Sequence, residues 1–494
     1  MVAAVLDFVA FPGIGVWPVA FVALVPLMFA LDGEPRHSGR RALLIAAVFA
    51  VVANLGGFYW LIEMLETFSG FPLVLCVLFA SLLCLFQGGQ LILFALLWFR
   101  ARGRGWGALL AAPAAFAASE LVYPILFQFF HGNHLHAVPE LIQIAELGGP
   151  ILVSVLIIAV NTAIYEVASA LVHRQRPRLV GPGIVAAGLV ATLIYGVVRI
   201  GQVDAWAAGA PALSVGIVQV NMGIFAKRED PVEGLRRHIE QSRQLEEQVH
   251  PDLLIWPESA YTFFLPDGVD NVQQYVTGPL RTPLLFGGLA RRRVGGADRH
   301  YNTAFLADEH GQILGTYDKT YLLAFGEYLP LGETFPELYE MSPHSGHFTP
   351  GDHVRPVVFR GHRITALICY EDILPGFVRR AVNEGDSDLL VNMTNDSWFG
   401  DTTEPWQHLA LAQFRSIEHR RYMIRATNSG VSAIIDPVGR VVARTGVLTR
   451  ENLHGDVRLM SGWTPYETFG DWPGWVGLAA ITWMAFVRRR SAAS

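Results

Sequence analysis

Residues 367–374 read Leu-Ile-Cys-Tyr-Glu-Asp-Ile-Leu, and an apolar run rich in branched side chains, residues 364–368, leads into them. Such a run predicts a buried β-strand that ends where the polar Tyr-Glu-Asp sequence interrupts it. Cys369 would then lie at the end of a strand, where a thiol can meet a substrate. A buried structural cysteine is the alternative and the commoner fate of a free thiol, and the octapeptide alone does not exclude it.

The other cysteines do not offer Cys369 a partner in the polar part of the chain. The sequence contains 3 cysteines, and Cys76 and Cys84 both lie inside a long apolar segment. We therefore expect Cys369 to remain a free thiol.

The composition predicts a membrane protein with an additional water-soluble part. Of 494 residues, 52% are hydrophobic and only 16% are charged, and the mean hydropathy is +0.35. This is too apolar for an ordinary soluble protein, and the length allows more than one domain. The formal net charge of -6 excludes a typical nucleic-acid-binding protein, which would carry a concentrated basic face.

The first 200 residues are apolar stretches separated by short polar loops, and a membrane-spanning helix needs about 20 such residues. Residues 2–11 and 17–31 predict a short hairpin or one broken span. A cleaved signal peptide is a weaker alternative, because no basic region precedes it. Further spans are predicted at 42–60, 71–99, 106–127, 148–172, 183–200 and 474–487.

The charges of the loops predict the orientation of these spans. Alternate loops and the carboxyl-terminal tail carry arginine clusters: Arg36, Arg40 and Arg41; Arg100, Arg102 and Arg104; Arg174, Arg176 and Arg178; and Arg488, Arg489 and Arg490. The loops between them carry Glu63, Glu66, Glu140 and Glu146 but no lysine or arginine. By the positive-inside rule the arginine loops are cytoplasmic, so residues 201–473 lie on the other side of the membrane.

One loop is rich in histidine, with His131, His134 and His136 within six positions. Imidazoles at this spacing could ligate a metal, but no neighbouring carboxylate or cysteine completes a site. The sequence therefore predicts an interfacial loop and no metal centre or cofactor, with metal binding as the alternative.

Beyond residue 212 the pattern changes to short strands alternating with amphipathic helices, which predicts a layered α/β domain. Strands are predicted at 213–220, 252–256, 282–289, 303–308, 313–318, 364–369 and 388–393, with a hairpin of 431–435 and 441–445. Helices are predicted at 231–248, from Pro375 onwards, and at 406–423.

Three residues with complementary chemistry stand at the ends of predicted strands. Glu258 follows an apolar strand, Lys319 ends the strand 313–318, and Cys369 ends the strand 364–368. A thiolate nucleophile, a base that generates it and a cation that stabilises an oxyanion are the components of covalent acyl transfer. Spacing alone does not show that the three side chains meet.

Several ordered motifs resemble the Glu-Lys-Cys signature of the nitrilase superfamily: Trp-Pro-Glu-Ser-Ala at 256–260, Tyr-Asp-Lys at 317–319, Phe-Gly-Glu-Tyr-Leu-Pro at 325–330 and Cys-Tyr-Glu at 369–371. Asn-Asp-Ser-Trp-Phe-Gly at 395–400 and Arg-Ala-Thr-Asn-Ser-Gly at 425–430 match its downstream motifs. With its multi-span amino-terminal half, the chain resembles the apolipoprotein N-acyltransferase family of bacterial inner membranes. The loop at 131–136 departs from that family, where it is more aromatic.

The resemblance implies an eight-span α-helical membrane bundle, formed by residues 1–200 together with a carboxyl-terminal span and basic tail (474–494), and a periplasmic nitrilase-like α-β-β-α sandwich (201–473). Cys369 would be the nucleophile, Glu258 the base and Lys319 the stabiliser of the tetrahedral intermediate. Glu327 would be a further essential carboxylate. Tyr370 and Glu371 would lie beside the nucleophile, and Trp398 and Phe399 would shape the pocket.

The implied partners are a phospholipid acyl donor, the diacylglyceryl cysteine of an apolipoprotein as acceptor, and the bilayer of the bacterial inner membrane. We expect a monomer that binds no nucleic acid. Two other functions fit the same residues: a membrane-tethered amidase whose thioester passes to water, and a non-catalytic lipid-binding scaffold.

Overall fold

The computed structural model describes residues 1–32, 38–223, 229–324, 326–341 and 346–488. Arg36, Phe325, Arg489 and Arg490, which belong to motifs named above, lie outside the described residues. The chain forms two compact units. The helical unit comprises residues 1–204, 402–418 and 464–494, and the sheet unit comprises residues 205–401 and 419–463.

The helices, in chain order, are α1 (Val2–Val9), α2 (Val25–Asp32), α3 (Gly39–Gly57), α4 (Trp60–Ser69), α5 (Leu73–Gln87), α6 (Gly89–Gly103), α7 (Ala108–Val122), α8 (Pro139–Ile142), α9 (Ala145–Val172), α10 (Val180–Ala208), α11 (Pro231–Gln248), α12 (Glu337–Met341), α13 (Pro375–Gly385), α14 (Glu404–His419), α15 (Pro465–Phe469) and α16 (Trp472–Phe486). Single 3₁₀ turns include Trp17–Phe21 and His131–Leu135.

Four helical segments are long and apolar enough to cross a membrane: Gly39–Gly57, Leu73–Gly103, Ala145–Val172 and Val180–Ala208. Shorter apolar helical segments occupy Trp17–Asp32 and Ala108–Val122. Helix α10 exposes large apolar side chains such as Val180, Ile184 and Ile194. Exposed aliphatic side chains along a whole helix are unfavourable in water and are typical of a surface that faces lipid.

Two predicted helices end earlier than the hydropathy pattern indicated. The span predicted at 106–127 ends at Val122, because Tyr123 precedes a proline and adopts an extended conformation. The helix predicted at 406–423 ends at His419, and Arg420 then adopts a positive φ of 52°. The residues from Met423 onwards instead form a strand of the second sheet.

The strands are β1 (Ala212–Gln219), β2 (Leu253–Ile255), β3 (Tyr261–Leu265), β4 (Leu284–Val294), β5 (Ala297–Ala307), β6 (Ile313–Asp318), β7 (Val357–Phe359), β8 (His362–Ile368), β9 (Leu389–Thr394), β10 (Met423–Thr427), β11 (Ala433–Ile435), β12 (Val441–Arg444) and β13 (Glu451–Arg458). The first sheet has the order β13-β1-β2-β4-β5-β6, with β3 also paired to β4. The second has the order β12-β11-β10-β9-β8-β7.

Strands β4 and β5 are longer than the sequence indicated because they form one tight hairpin. Val294 pairs with Ala297 across a two-residue loop of Gly295 and Gly296, which have φ values of 60° and 86°. Two consecutive positive φ angles are those of a type I′ turn, whose twist matches that of paired strands. Three arginines at 291–293 interrupt the apolar pattern before the turn, so the predicted strand ended too early.

The two sheets pack against each other, with helices on their other faces. Gln219 of β1 accepts hydrogen bonds from the hydroxyls of Thr427 and Thr445, which belong to the second-sheet segment. On the far side of the first sheet, Leu245 of α11 joins a buried cluster with Leu254 and Trp256. Helix α13 contacts β8 in the second sheet. The predicted layered α/β architecture is confirmed.

Candidate active site

Glu258, Lys319 and Cys369 all follow the ends of strands. Trp256 and Pro257 separate β2 from Glu258, whereas Lys319 directly follows β6 and Cys369 directly follows β8. Because β6 belongs to the first sheet and β8 to the second, the packing of the sheets brings residues distant in sequence to one region.

Lys319 is the centre of a buried group of charges. Its side chain is 1% exposed, and its Nζ lies 2.7 Å from Glu327 Oε2 and 3.7 Å from Glu258 Oε1. Burial alone would lower the pKa of Lys319, but the pKa is raised because Glu327, and then Cys369 and Glu258, favour the charged form. The ammonium group therefore stays protonated at any physiological pH.

Asn302, in the middle of β5, connects the two carboxylates. Its Nδ2 donates to Glu258 Oε1 at 2.7 Å and to Glu327 Oε1 at 3.0 Å, and its backbone carbonyl accepts from the Lys319 N–H at 2.8 Å. Sequence reasoning missed this residue because it stands within a strand. It lies among the polar residues of the first half of β5, so its residue type did not distinguish it.

Cys369 begins a 3₁₀ turn, Cys369–Ile373, and has a φ of +52°. A non-glycine residue in this region is conformationally strained, a feature common at reactive positions on a strand-to-helix turn. The Nδ2 of Asn392 donates to the Cys369 carbonyl at 3.0 Å and helps to hold this conformation. The cysteine is free, and the residue as a whole is partly exposed.

The thiol requires a base before it can react. Burial raises the pKa of Cys369 well above its ordinary value, and the negative charges of Glu258 and Glu327 act in the same direction, whereas Lys319 lowers it. Cys369 is therefore within electrostatic reach of both carboxylates and the ammonium group. At neutral pH it is a thiol rather than a thiolate, and only the thiolate is a competent nucleophile.

Glu371 links the segment after Lys319 to the strand that carries Cys369. Its Oε1 accepts from the Tyr317 hydroxyl at 2.7 Å and from the Thr320 N–H at 2.8 Å, and its Oε2 accepts from the Ile368 N–H at 2.7 Å. Burial raises its pKa to about 7, against the opposing effects of Lys319 and these hydrogen bonds. The hydrogen bonds of Glu371 therefore connect the two segments that carry Lys319 and Cys369.

A second buried network lies behind the turn that carries Cys369. The guanidinium of Arg425 lies 2.6 Å from Asp372 Oδ2 and 3.5 Å from Asp396 Oδ2, and it donates to Asn392 Oδ1 at 3.2 Å. All of these side chains are buried. The downstream motifs at 395–400 and 425–430 thus supply structural support, a role that their sequences alone did not indicate.

Gly287 in β4 leaves room for the segment that carries Glu258. A Cβ atom at this position would lie 2.6 Å from the Glu258 Cα and 2.6 Å from the Pro257 carbonyl oxygen, which is too close for any side chain. The sequence offered no signal for this requirement, because glycine is frequent in the whole chain.

Three further candidates follow strands β8 and β9 of the second sheet. The Tyr370 ring stacks on Tyr321 with a centroid separation of 6.0 Å. Trp398 ends the 3₁₀ turn Asp396–Trp398 after β9, and Trp398 and Phe399 are both partly exposed. Their suggested roles, an oxyanion contact for Tyr370 and a pocket wall for the other two, stay predictions.

Comparison with known proteins finds two family models in the chain. Residues 214–461 match the carbon-nitrogen hydrolase family, and residues 3–163 match the apolipoprotein N-acyltransferase N-terminal domain. The first match spans the sheet unit that contains Glu258, Lys319 and Cys369. The second covers most of the apolar helices.

Relatives are similar over nearly the full chain. An apolipoprotein N-acyltransferase of Geobacter metallireducens is 29% identical over 99% of this chain and 95% of its own, and one of Azotobacter vinelandii is 33% identical over 96% and 92%. A solved nitrilase-superfamily structure from Saccharomyces cerevisiae has 18% identity and a TM-score of 0.39, covering 50% of this chain and 90% of its own. By the extent and identity of these matches, the chain belongs to the apolipoprotein N-acyltransferase family, with a carbon-nitrogen hydrolase domain.

Proposed function

We propose that the protein is a membrane N-acyltransferase of lipoprotein maturation. It moves a fatty acyl chain from a phospholipid to the α-amino group of the diacylglyceryl cysteine of an apolipoprotein. The observation that carries the proposal is the buried Glu258–Lys319 pair, within electrostatic reach of Cys369, in a chain whose apolar helices are long enough to cross a membrane.

In the first half-reaction, Glu258 takes the proton of the Cys369 thiol as the sulfur attacks the ester carbonyl of the phospholipid. The carbonyl oxygen becomes an oxyanion, which the permanently charged Lys319 stabilises. Collapse breaks the ester C–O bond, the alkoxide of the leaving lysophospholipid takes the proton from Glu258, and a thioester remains on the enzyme.

In the second half-reaction, the free amine of the lipoprotein attacks the thioester carbonyl, and Glu258 accepts a proton from the amine. The new oxyanion again forms beside Lys319. Collapse breaks the C–S bond, the departing Cys369 sulfur takes back the proton, and the product carries a new amide. One base and one cation thus serve both steps.

Glu327 holds Lys319 through the 2.7 Å ion pair and shares the Asn302 amide with Glu258. The ammonium group of Lys319 is therefore nearer to Glu327 than to Glu258, and Glu258 keeps its capacity to accept a proton. We include the Tyr370 backbone N–H, next to the nucleophile, as a second oxyanion donor in the proposal.

The chemistry of the donor explains why such an enzyme needs apolar helices. Each buried methylene stabilises a lipid in the bilayer by ~0.8 kcal/mol, so a diacyl phospholipid does not leave the membrane readily. The enzyme must therefore present its nucleophile at the membrane surface. The distribution of arginines in the loops supports a multi-pass protein of the bacterial inner membrane whose catalytic domain is periplasmic.

An acceptor assay tests the proposal. The protein in detergent is mixed with phospholipid and a synthetic diacylglyceryl lipopeptide that has a free amino terminus. We expect equal amounts of lysophospholipid and amide-linked triacylated lipopeptide. Free fatty acid without acylated peptide would support the amidase with water as acceptor instead. Undiminished transfer by Cys369→Ser would contradict the thioester mechanism. A complete lack of turnover by the wild-type protein would support the lipid-binding scaffold.

A further inference from the structure

Two histidines of the loop at 131–136 lie on the same face of a 3₁₀ turn. The turn His131–Leu135 has about three residues per turn, so side chains at positions i and i+3 eclipse each other. The His131 and His134 rings are accordingly 4.3 Å apart between centroids. Helix α1 contributes Asp7 to the same place, a carboxylate that the sequence could not associate with this loop.

The geometry of the three side chains fits a single cation. One potential ligand atom from each of Asp7, His131 and His134 lies within 4.8 Å of the others. Asp7 Oδ1 is 3.5 Å from His131 Nε2, which is longer than a normal N–H···O hydrogen bond. Two ligands of one tetrahedral zinc ion, bound at about 2.0–2.1 Å, are separated by roughly 3.3 Å.

The side chains of Asp7, His131 and His134 are buried, and several of their polar atoms lack a hydrogen-bond partner among the described residues. Asp7, His131 and His134 are 2%, 5% and 1% exposed. Among the described residues, Asp7 Oδ1, His131 Nε2 and both ring nitrogens of His134 have no hydrogen-bond partner of normal geometry. Leaving such groups unpaired in an apolar interior costs about 1–3 kcal/mol each. A bound cation would satisfy one such atom from each of the three residues at once.

The backbone of the turn is held rigidly by other polar groups. The His131 N–H donates to Glu120 Oε1 at 2.8 Å, and the Gly132 N–H donates to Ser154 Oγ at 2.8 Å. Ser154 in turn donates to the same Glu120 oxygen at 2.9 Å. The two imidazoles are therefore preorganised, as a metal site requires.

A small cavity next to the cluster offers a place for a fourth ligand. It has a volume of about 30 Å³, and its lining includes Asp7, His131, Asn54, Gln87 and Gln90. A space of this size with several polar groups can hold a water molecule. Three protein ligands and one water would complete a tetrahedral shell.

We propose that Asp7, His131 and His134 bind one divalent transition-metal ion, with Zn²⁺ as the ion that best matches an imidazole and carboxylate donor set. The ion would tie helix α1 to the turn and stabilise the helical unit. His136 does not belong to this group of potential ligands, and its Nδ1 lies 3.2 Å from Gln413 Oε1. His136 therefore provides a matched control within the same loop.

The test uses the full-length protein in detergent, purified without a polyhistidine tag, stripped with a chelator and loaded with ZnCl₂ or CoCl₂. We expect about one ion per chain by elemental analysis, and the visible absorption of tetrahedral Co²⁺ with nitrogen and oxygen ligands. Asp7→Asn and His134→Gln should weaken binding at least about tenfold, whereas His136→Gln should bind like wild type.

Wild-type protein that binds no Zn²⁺ would overturn the proposal, and so would a His134→Gln variant that binds it as tightly as wild type. Zn²⁺ should also raise the unfolding temperature of the stripped wild-type protein, since a ligand that binds only the folded state stabilises it. This measurement decides the matter even where a variant misfolds, because an unchanged unfolding temperature at saturating Zn²⁺ contradicts the proposal.

Discussion

The buried polar clusters around Lys319 and around Asp7 differ in how their charges are balanced. Around Lys319, one ammonium group lies between Glu327 and Glu258, and the cluster supplies its own counter-charges. Around Asp7, one carboxylate and two imidazoles are buried without a cation. The chain preorganises the first cluster with its own charges, whereas our proposal places an ion from outside in the second.

Removing the cation of the balanced cluster should have the largest effect. In Lys319→Met the two carboxylates are left buried and unpaired, which should cost about 3–5 kcal/mol of stability, and oxyanion stabilisation is lost, which should lower acyl-enzyme formation about 10³-fold. Chemical unfolding and quenched-flow acylation measure the two effects.

The double variant Lys319→Met/Glu327→Gln separates them. It removes one unpaired charge and should recover part of the stability while remaining inactive. Recovery of acylation in the double variant would contradict the assignment of Lys319 to the reaction.

Loss of the base should have the next largest effect on rate. In Glu258→Gln the amide oxygen still accepts from Asn302 and Lys319 stays paired with Glu327, so the fold should be retained, but nothing accepts the thiol proton. We expect acylation about 10²-fold slower, at the lower end for general-base catalysis. Glu247→Gln, on the exposed face of α11, is the matched control. Equal rates for the two variants would exclude Glu258 as the base.

Glu371 gives a prediction about pH and stability. Its pKa is raised from 4.5 to about 7 in the folded protein, so the folded state favours the protonated form. That stabilisation is fully present below about pH 4.5 and is lost as the pH rises through 7, a change of about 3 kcal/mol. The unfolding free energy of the wild-type protein should therefore fall, relative to that of Glu371→Gln, as the pH rises from 5 to 8. A difference independent of pH would show that its hydrogen-bond donors keep Glu371 ionised in the folded state.

Asn302 should have a smaller effect, because it acts through Glu258 and Glu327. Asn302→Ala removes the amide that fixes both carboxylates, and we expect acylation about tenfold slower, with KM for phospholipid unchanged. Asn383→Ala, at an exposed position of α13, should leave both constants unchanged. An increase in KM alone would instead indicate that Asn302 contacts the substrate.

The smallest effect is expected in the unbalanced cluster, and its sign should be opposite. In metal-free protein, His134→Phe replaces an unpaired imidazole by an apolar ring among Phe11 and Phe129, and it should stabilise by ~1 kcal/mol. The same variant should lose the response to Zn²⁺. Destabilisation of the chelator-treated protein would show that His134 already has a satisfactory environment without an ion.

The candidate residues are easiest to recognise in the sequence where they stand at the end of a strand. Glu258, Lys319 and Cys369 each interrupt or end an apolar run, and this signal is local. Asn302 and Gly287 lie inside strands, and their importance depends on which strand pairs with which. Neither the strand order nor the close approach of β4 to the Glu258 segment can be read from local periodicity.

The helical unit shows the same limit. The histidine loop was recognisable, but Asp7 is far from it in sequence, and only the packing of α1 joins them. Helix ends were predicted poorly where apolar residues continue past a break, as at Tyr123 before its proline and at Arg420 with its positive φ. Hydropathy reports burial, whereas the first of these helices ends because a residue before a proline avoids the helical conformation.

Intact-protein mass spectrometry after incubation with phospholipid tests the central claim most directly. We expect the wild-type protein to gain the mass of one acyl chain on Cys369, hydroxylamine to remove this chain, and Cys369→Ala to gain nothing. An acyl group on another residue, or an unchanged adduct in Cys369→Ala, would contradict the account.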